Sequence, residues 1–391
     1  MTNPNPPFTH EEYQDRLAKV RTAMQSENLE VLFITDPSNM AWLTGYDGWS
    51  FYVHQGVLVT LDQTPIWWGR GIDQPGALRT VWMPDDCNQG YDDTYVQNPE
   101  KHPMEDLAMV LREMGLENKT LGVETDNYYF SAEAYRTLLN ENISIQNATG
   151  LVNWQRAVKS PTEIEFMRRA AKIVTHMHAT ILETAVPGMR KNDLVAEIYR
   201  AGIQGTDGHW GDYPAIVPMA PSGMDATAAH LTWDDAPLEK DIGTFFEIAG
   251  AYRRYQCPQS RTLFLGAVPE KYRRAEAAVE HATEEVLSIA KPGALCQDLA
   301  LAFNATLAKH GFEKDNRCGY AIGLSYPPDW GERTMSLRAG DLTPLQVGMT
   351  FHFMPALWLD DGGIETTEPI LITAEGCEKL CETPAGLMVK P

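Results

Sequence analysis

The chain of 391 residues lacks long apolar segments, has few cysteines and is short of basic side chains. No stretch approaches the roughly 18 consecutive apolar residues that a membrane-spanning helix needs, which argues against a membrane protein. The six cysteines contain no Cys-x-x-Cys pair, so we expect reduced thiols rather than a disulfide framework or a zinc site. With 53 acidic against 32 basic residues, the chain is a poor partner for nucleic acids and anionic lipids.

The remaining composition is typical of a globular enzyme, with 43% hydrophobic residues. The polar start MTNPNPPFTHEEY has neither the basic nor the apolar part of a signal peptide, so we expect a cytoplasmic protein. A chain of this length commonly folds as two domains.

The first part of the chain alternates helical and strand patterns. Leu17, Val20 and Met24 recur at helical spacing and are followed by the apolar run 31–34. The other elements predicted here are strands at 56–60, 65–68 and 121–124 and a helix at 103–114. This alternation predicts an α/β domain over residues 1–155.

A helix start near residue 160 predicts the domain boundary. Ser160 is a suitable N-cap, Pro161 fits the first helical position and Glu163 completes a capping box. The predicted second domain, 156–391, has helices at 161–181, 191–203, 271–289 and 297–310 and strands at 245–249, 262–265, 350–353 and 369–373. Two helix pairs, each followed by antiparallel strands, predict an α+β domain with an internal pseudo-repeat.

Several motifs resemble the creatinase/aminopeptidase P family, whose catalytic domain has the pita-bread fold. They are FFEIAGAYRRYQCPQSRT at 245–262, RAVKSPTE at 156–163, KPGA at 291–294 and GMT at 348–350. The resemblance extends over nearly the whole chain. It implies a creatinase-like α/β N-terminal domain followed by an α+β pita-bread catalytic domain.

The metal-binding positions of that family are altered in this chain. Its metallopeptidases bind two ions through two aspartates, a histidine and two glutamates. The corresponding residues here are Glu247, Pro258, Tyr320, Met354 and Glu368. Because a dinuclear site needs several hard oxygen or nitrogen donors, the two remaining carboxylates predict an enzyme without metal or other cofactor.

Four further motifs resemble the ectoine hydrolase branch of the family. They are GYDGWSFYVHQG at 45–56, GHWGDYP at 208–214, SYPPDWGERT at 325–334 and FHFMP at 351–355. This resemblance implies a cytoplasmic homodimer that opens the cyclic amidine of ectoine to an N-acetylated diaminobutyrate, which a deacetylase would then process. Three alternatives remain open: a proline-specific metallopeptidase with degenerate ligands, a creatinase-type amidine hydrolase with another substrate, and an inactive peptide-binding protein.

Glu247 is the first candidate for catalysis. It lies between Phe246 and Ile248 in an apolar strand, where an unpaired carboxylate is costly and has a raised pKa. An amidinium ligand would compensate its charge, and Glu247 would then attack the ring carbon or activate water. The structural alternative is an ion pair with a nearby arginine, Arg253, Arg254 or Arg261.

His230 matches the catalytic histidine of creatinase, which implies a role as general acid or base. Glu368 is the other retained carboxylate and is expected to hold a ring nitrogen, whereas Glu365 is expected to be solvated. By strand alternation, His352 shares a face with Met354 and is expected to line the pocket.

The loop aromatics Tyr213 and Trp330 are candidates for holding a flat cation. Tyr320, in place of a histidine, would donate a phenolic proton. Arg333 lies near the position where creatinase places an arginine for the substrate carboxylate. The creatinase arrangement also implies that Phe51 closes the site of the partner subunit, which would make the homodimer necessary for catalysis.

Overall fold

The computed structural model describes residues 6–391, which divide into two units after Arg156, one residue beyond the predicted boundary. The first five residues of the polar start lie outside the described part. Within residues 6–391, no helix is both long and apolar enough to cross a membrane.

The first unit is an α/β domain. Its helices are α1 (His10–Ser26), α2 (Pro37–Thr44), α3 (Gln74–Thr80), α4 (Pro103–Glu113), α5 (Ala132–Asn140) and α6 (Leu151–Gln155). Its strands are β1 (Val31–Ile34), β2 (Gly56–Thr60), β3 (Ile66–Arg70), β4 (Asn88–Tyr91), β5 (Leu121–Val123) and β6 (Ile145–Asn147). The strands form one mixed sheet in the order β4-β3-β2-β1-β5-β6, with β1 antiparallel to β2 and parallel to β5. Every helix and strand predicted in this region is present.

The second unit begins with the predicted capping box. The Ser160 hydroxyl accepts a hydrogen bond from the Glu163 amide at 3.3 Å, and the Glu163 carboxylate accepts one from the Ser160 amide at 2.8 Å. Two otherwise unpaired amides of the first helical turn are thereby satisfied. The helix that follows is α7 (Pro161–Thr184), slightly longer than predicted.

The remaining elements complete an α+β domain. Helices α8 (Lys191–Gln204), α9 (Glu270–Ile289) and α10 (Cys296–Lys309) form two helix pairs together with α7. The strands are β7 (Gly243–Tyr252), β8 (Tyr255–Leu265), β9 (Gly319–Ile322), β10 (Gly331–Ser336), β11 (Thr350–Phe353), β12 (Ala356–Leu359), β13 (Gly362–Glu365), β14 (Glu368–Ile372), β15 (Cys377–Lys379) and β16 (Met388–Lys390). They form the sheets β10-β9-β11-β14-β15 and β16-β8-β7 and the hairpin β12-β13.

The β7–β8 hairpin has two different faces. Helix α7 packs on one of them so closely that a Cβ on Gly250 would lie 2.1 Å from the carbonyl oxygen of Ala170. Because side chains alternate along a strand, Phe246 and Ile248 share this α7 face, and Glu247 lies on the other. Its partner in the antiparallel register is Ser260, which therefore shares its face. The hairpin thus directs Glu247 away from the helix.

Candidate active site

Glu247 is a buried acid without an ion pair. Its exposed fraction is 8%, and within residues 6–391 its side chain has no hydrogen bond or ion pair. The alternative of an ion pair with Arg261 does not hold, since Arg261 pairs with Glu368. Burial raises the pKa of Glu247 well above its usual 4.5, and the nearby Glu365 carboxylate raises it further. A cation placed beside Glu247 would therefore be strongly favoured.

Glu365 is the second carboxylate of the site, and the expectation that it is solvated was wrong. Its amide donates to the Thr262 hydroxyl at 2.8 Å, which places it beside β8, the strand next to Glu247. Glu365 is 6% exposed, and its Oε2 atom is buried without a hydrogen-bond partner. Burial raises its pKa to about 7, against the lowering effects of Ser260 and Lys314. We call Glu247 and Glu365 the carboxylate pair.

Tyr320 lies next to the carboxylate pair. Its phenolic oxygen accepts a hydrogen bond from Trp330 Nε1 at 2.5 Å and lies 3.2 Å from His352 Nδ1. Burial raises the pKa of Tyr320, and the charge of Glu247 raises it further. The phenol therefore stays protonated and can donate, but not lose, its proton at neutral pH.

His352 positions Tyr320. Its Nε2 atom lies 2.7 Å from the hydroxyl of Thr367, which itself accepts a hydrogen bond from the Ser260 amide at 2.7 Å. Burial lowers the pKa of His352 to about 3, with a further contribution from the charge of Arg317, so the ring is neutral. With its proton on Nδ1, His352 donates to Tyr320 and leaves the phenolic proton for a third partner. With the proton on Nε2, Tyr320 donates to His352 instead.

Glu368 belongs to a different cluster. Its carboxylate accepts hydrogen bonds from Arg261 at 2.9 Å, Gln259 at 3.2 Å and Lys379 at 3.3 Å. Arg261 and Gln259 lie on the α7 face of the hairpin, opposite to Glu247. Glu368 also lines a cavity of about 230 Å³ beside α9. These contacts argue against the expected role in substrate binding; we call this group the Arg261 cluster.

The structure does not bring His230 into this group. The side chain is exposed and makes no hydrogen bond, ion pair or ring contact within the described residues. Its loop runs close to the site, because Met219 bridges both Thr232 and Glu247. The role carried over from creatinase therefore has no support from a contact of the histidine itself.

The other three predicted residues are Tyr213, Arg333 and Phe51. Tyr213 stacks under Arg254, whose guanidinium carbon is 3.8 Å from the ring centroid. Arg333 is exposed on β10, with a positive φ of 55°. Phe51 lies in the first unit, where its ring packs against Trp49 and Tyr129 at centroid distances of 4.8 and 6.0 Å.

Comparison with known proteins identifies the family. The profile of metallopeptidase family M24 matches residues 165–374, and that of the creatinase/prolidase N-terminal domain matches residues 16–158. The chain belongs to family M24. It is 57% identical to the ectoine hydrolase of Halomonas elongata, over 98% of both chains. The predicted order of a creatinase-like domain and a pita-bread domain is thereby confirmed, and the protein is a hydrolase.

Solved structures of the M24 family agree on the fold. The prolidase of Thermococcus sibiricus has a TM-score of 0.84 at 16% identity, covering 96% of this chain and 99% of its own. The dipeptidase PepE of Mycobacterium ulcerans has a TM-score of 0.81 at 20% identity, with 98% and 99% covered. At these identities the likeness establishes the fold alone.

The residues at the family's metal positions do not fit a dinuclear site. Pro258 and Met354 offer no oxygen or nitrogen side-chain donor, and the Tyr320 phenol is held by Trp330. Glu368 is bound to the guanidinium of Arg261. In the part of the chain that the structure describes, no three His, Cys, Asp or Glu side chains are grouped to hold a metal ion.

Sequence reasoning missed Glu365, Thr367 and Arg317. The motif Glu365-Thr366-Thr367-Glu368 contains two acids, and the prediction placed Glu368 rather than Glu365 in the site. Strand alternation would have separated them: positions 365 and 367 face β8 and His352, whereas 366 and 368 face the cavity beside α9. No pattern in the sequence marks Arg317.

Proposed function

We propose that the protein hydrolyses the cyclic amidine ring of ectoine to an N-acetylated diaminobutyrate. Two findings support this: the 57% identity to an ectoine hydrolase over nearly the full length, and the chemistry of the site. The observation that carries the proposal is the carboxylate pair, two buried acids with no counterion in direct contact among residues 6–391.

An amidinium ring supplies the counterion that the site lacks. Ectoine carries a positive charge shared by two ring nitrogens, both of which donate hydrogen bonds. Its binding beside Glu247 would offset the cost of a buried carboxylate and favour the ionised form. Because the pKa of each carboxyl group is raised, one proton would remain on the pair when Glu247 is ionised, and Glu365 carries it.

The two acids have complementary roles in ring opening. The amidine carbon gains an oxygen either from Glu247 itself, with water replacing it afterwards, or from a water molecule that gives its proton to Glu247. The electron pair of the breaking C–N bond stays on the ring nitrogen, which takes the proton of Glu365. As the carbon becomes the carbonyl carbon of the acetamide, one proton of the water molecule passes to Glu365 and the other to the freed amine, so both carboxyl groups return to their starting state.

Tyr320 stabilises the substrate or the leaving nitrogen by hydrogen bonding. With the His352 proton on Nδ1, Trp330 and His352 both donate to the phenolic oxygen, and its own proton points to a third partner. A protonated, preorganised phenol in a buried site is an effective donor to developing charge. Thr367, held by the Ser260 amide, would fix the tautomer of His352.

The assembly and location proposed from the sequence are part of the same hypothesis. The first unit exposes Trp49 and Tyr128 by 57% and 63%, next to Phe51 and Tyr129. Exposed aromatic clusters of this kind mark interaction surfaces, which supports a homodimer in which Phe51 closes the partner subunit's site. A cytoplasmic location and a following deacetylase reaction complete the proposal.

The test is to incubate chelator-treated protein with ectoine and to follow the product by NMR. We expect an N-acetylated diaminobutyrate without added metal. Activity that returns only with manganese, zinc or iron, together with cleavage of Xaa-Pro dipeptides, would instead establish the metallopeptidase alternative. Catalysis requires the pair, so Glu247→Gln protein must be inactive under the same conditions.

A further inference from the structure

Arg317 lies at the edge of the site, in the loop between α10 and β9. Its guanidinium carbon is 4.2 Å from the centroid of the Tyr320 ring. Its Nη1 atom donates a hydrogen bond to the Ser336 hydroxyl at 3.3 Å, and Ser336 pairs with Tyr320 in the β9–β10 register. The arginine is thus held over the ring whose phenolic oxygen contacts His352 and Trp330.

This guanidinium has unused hydrogen-bonding capacity. Arginine carries five N–H donors in a planar fork that matches a carboxylate. Within residues 6–391, Arg317 makes one hydrogen bond, to Ser336, and forms no ion pair with a carboxylate. Arg261, by contrast, donates to Glu368 and to the backbone carbonyls of Ser260, Thr367, Thr383 and Pro384.

The charge of Arg317 affects the pKa values of two residues of the site. It lowers the pKa of both His352 and Tyr320, which lie next to the carboxylate pair. The Arg317 side chain therefore adds positive charge on one side of a site whose other side, Glu247 and Glu365, is acidic. A substrate with a cationic ring and a carboxylate has the matching polarity.

We propose that Arg317 binds the carboxylate of the substrate and so orients the amidine ring towards Glu247. This inference rests on the proposed function, and it assigns to Arg317 the role that the sequence suggested for Arg333. It makes Arg317 a determinant of specificity: cyclic amidines with a carboxylate on the ring are preferred over those without one. Fixing this end of a small ring leaves the amidine end facing the carboxylate pair.

The test compares two substrates, ectoine and the same methyl-substituted tetrahydropyrimidine ring without the carboxylate. For Arg317→Ala we expect KM for ectoine to rise about tenfold to a hundredfold, as for a lost charge-assisted hydrogen bond. KM for the ring without the carboxylate should change much less. Arg317→Lys should recover part of the loss, and Arg274→Ala, an exposed arginine on α9, should behave as wild type.

Two results would overturn the assignment. One is an equal loss on both substrates; the other is a selective loss in Arg333→Ala with none in Arg317→Ala. Calorimetric binding to Glu247→Gln protein, with and without Arg317→Ala, gives the same comparison without turnover. Selective loss of ectoine binding there would support Arg317 even if ring opening itself were not observed, whereas absence of ectoine binding to wild-type protein as well would reject both proposals.

Discussion

The carboxylate pair and the Arg261 cluster lie on opposite faces of the same hairpin and are buried to a similar depth. Glu247 and Glu365 are 8% and 6% exposed, and Glu368 is 2% exposed. The Glu368 carboxylate has three donors, one of them a buried guanidinium, whereas no cation in the described part of the chain pairs directly with Glu247 or Glu365. Burial alone therefore does not distinguish a structural acid from a reactive one; the partners do.

This difference has a physical consequence. An acid that is paired inside the protein contributes to folding and has no need of a ligand. An acid that is buried without a partner costs stability, and a cationic ligand recovers that cost as binding energy. In this chain the hairpin has a paired acid, Glu368, against one face and Glu247 on the other, where we propose that an organic cation binds.

The largest expected effect is on turnover when the pair is broken at Glu247. Because the amide of Glu247→Gln can neither attack the ring carbon nor take a proton from water, we expect kcat for ectoine to fall by roughly a thousandfold or more. The free energy of unfolding should not decrease, since the amide has the shape of the neutral acid that the free protein buries. Activity assays and urea unfolding of the same preparation check both statements; a variant with near-normal kcat would contradict them.

The opposite pattern is expected for the Arg261 cluster. Glu368→Gln leaves the buried Arg261 charge uncompensated, so the free energy of unfolding should fall by about 3 kcal/mol. As a matched control, Glu378→Gln removes a partly exposed ion pair with Arg168 and should cost less than about 1 kcal/mol. Urea denaturation measures both; equal losses would mean that the cluster does not have the structural role given to it.

A substitution at Glu365 tests whether the second acid of the carboxylate pair has a catalytic role of its own, unlike the paired acid Glu368. With Glu365→Gln no carboxyl proton is available for the leaving nitrogen, and we expect kcat to fall by about a hundredfold. The wild-type pH profile should lose activity as the pH rises through about 7, where Glu365 gives up its proton. In the variant this limb of the profile should disappear, and its persistence would assign it to another group.

The smallest effect is the pH dependence of stability. Burial raises the pKa of Glu365 from 4.5 to about 7, so the folded protein binds more protons than the unfolded chain between these values. Its contribution to the free energy of unfolding therefore decreases as the pH rises from 4.5 to 7.

Glu365→Gln, which cannot ionise, should be more stable than wild type above pH 7 and should lose this advantage below pH 4.5. Urea unfolding at both ends of the range checks the sign. The exposed Glu313→Gln is the control and should show no such pH dependence. A stability difference that grows towards acid would contradict the assignment.

Much of the fold could be predicted because its signals are local. The capping box of Ser160 and Glu163 and the apolar run of β1 each need a few neighbouring residues, and both are present as predicted. The β8 strand was predicted too short, at 262–265. The part that was not predicted, 255–261, contains the buried residues Gln256, Gln259 and Arg261, and residues more than 100 positions away satisfy Gln259 and Arg261. Such partners are not visible in a local pattern.

The part of the site that could be predicted is Glu247, which stands where the family's metallopeptidases have a metal ligand. Glu247 follows from its position in an apolar strand, and the structure shows it buried without an ion pair. The choice between Glu365, at the end of β13, and Glu368, at the start of β14, depends on which way each strand directs its side chains. The position of Arg317 over Tyr320 depends on the conformation of a loop, so it was not predictable.

The most direct test of the account is the protonation state of Glu247 in the folded protein. Infrared difference spectroscopy between wild type and Glu247→Gln at neutral pH reports the carboxyl group itself. The account predicts a protonated carboxyl band in the free protein that shifts to the ionised form when ectoine binds. A Glu247 carboxyl that titrates near 4.5 in the free protein, with no change on adding ectoine, would contradict it.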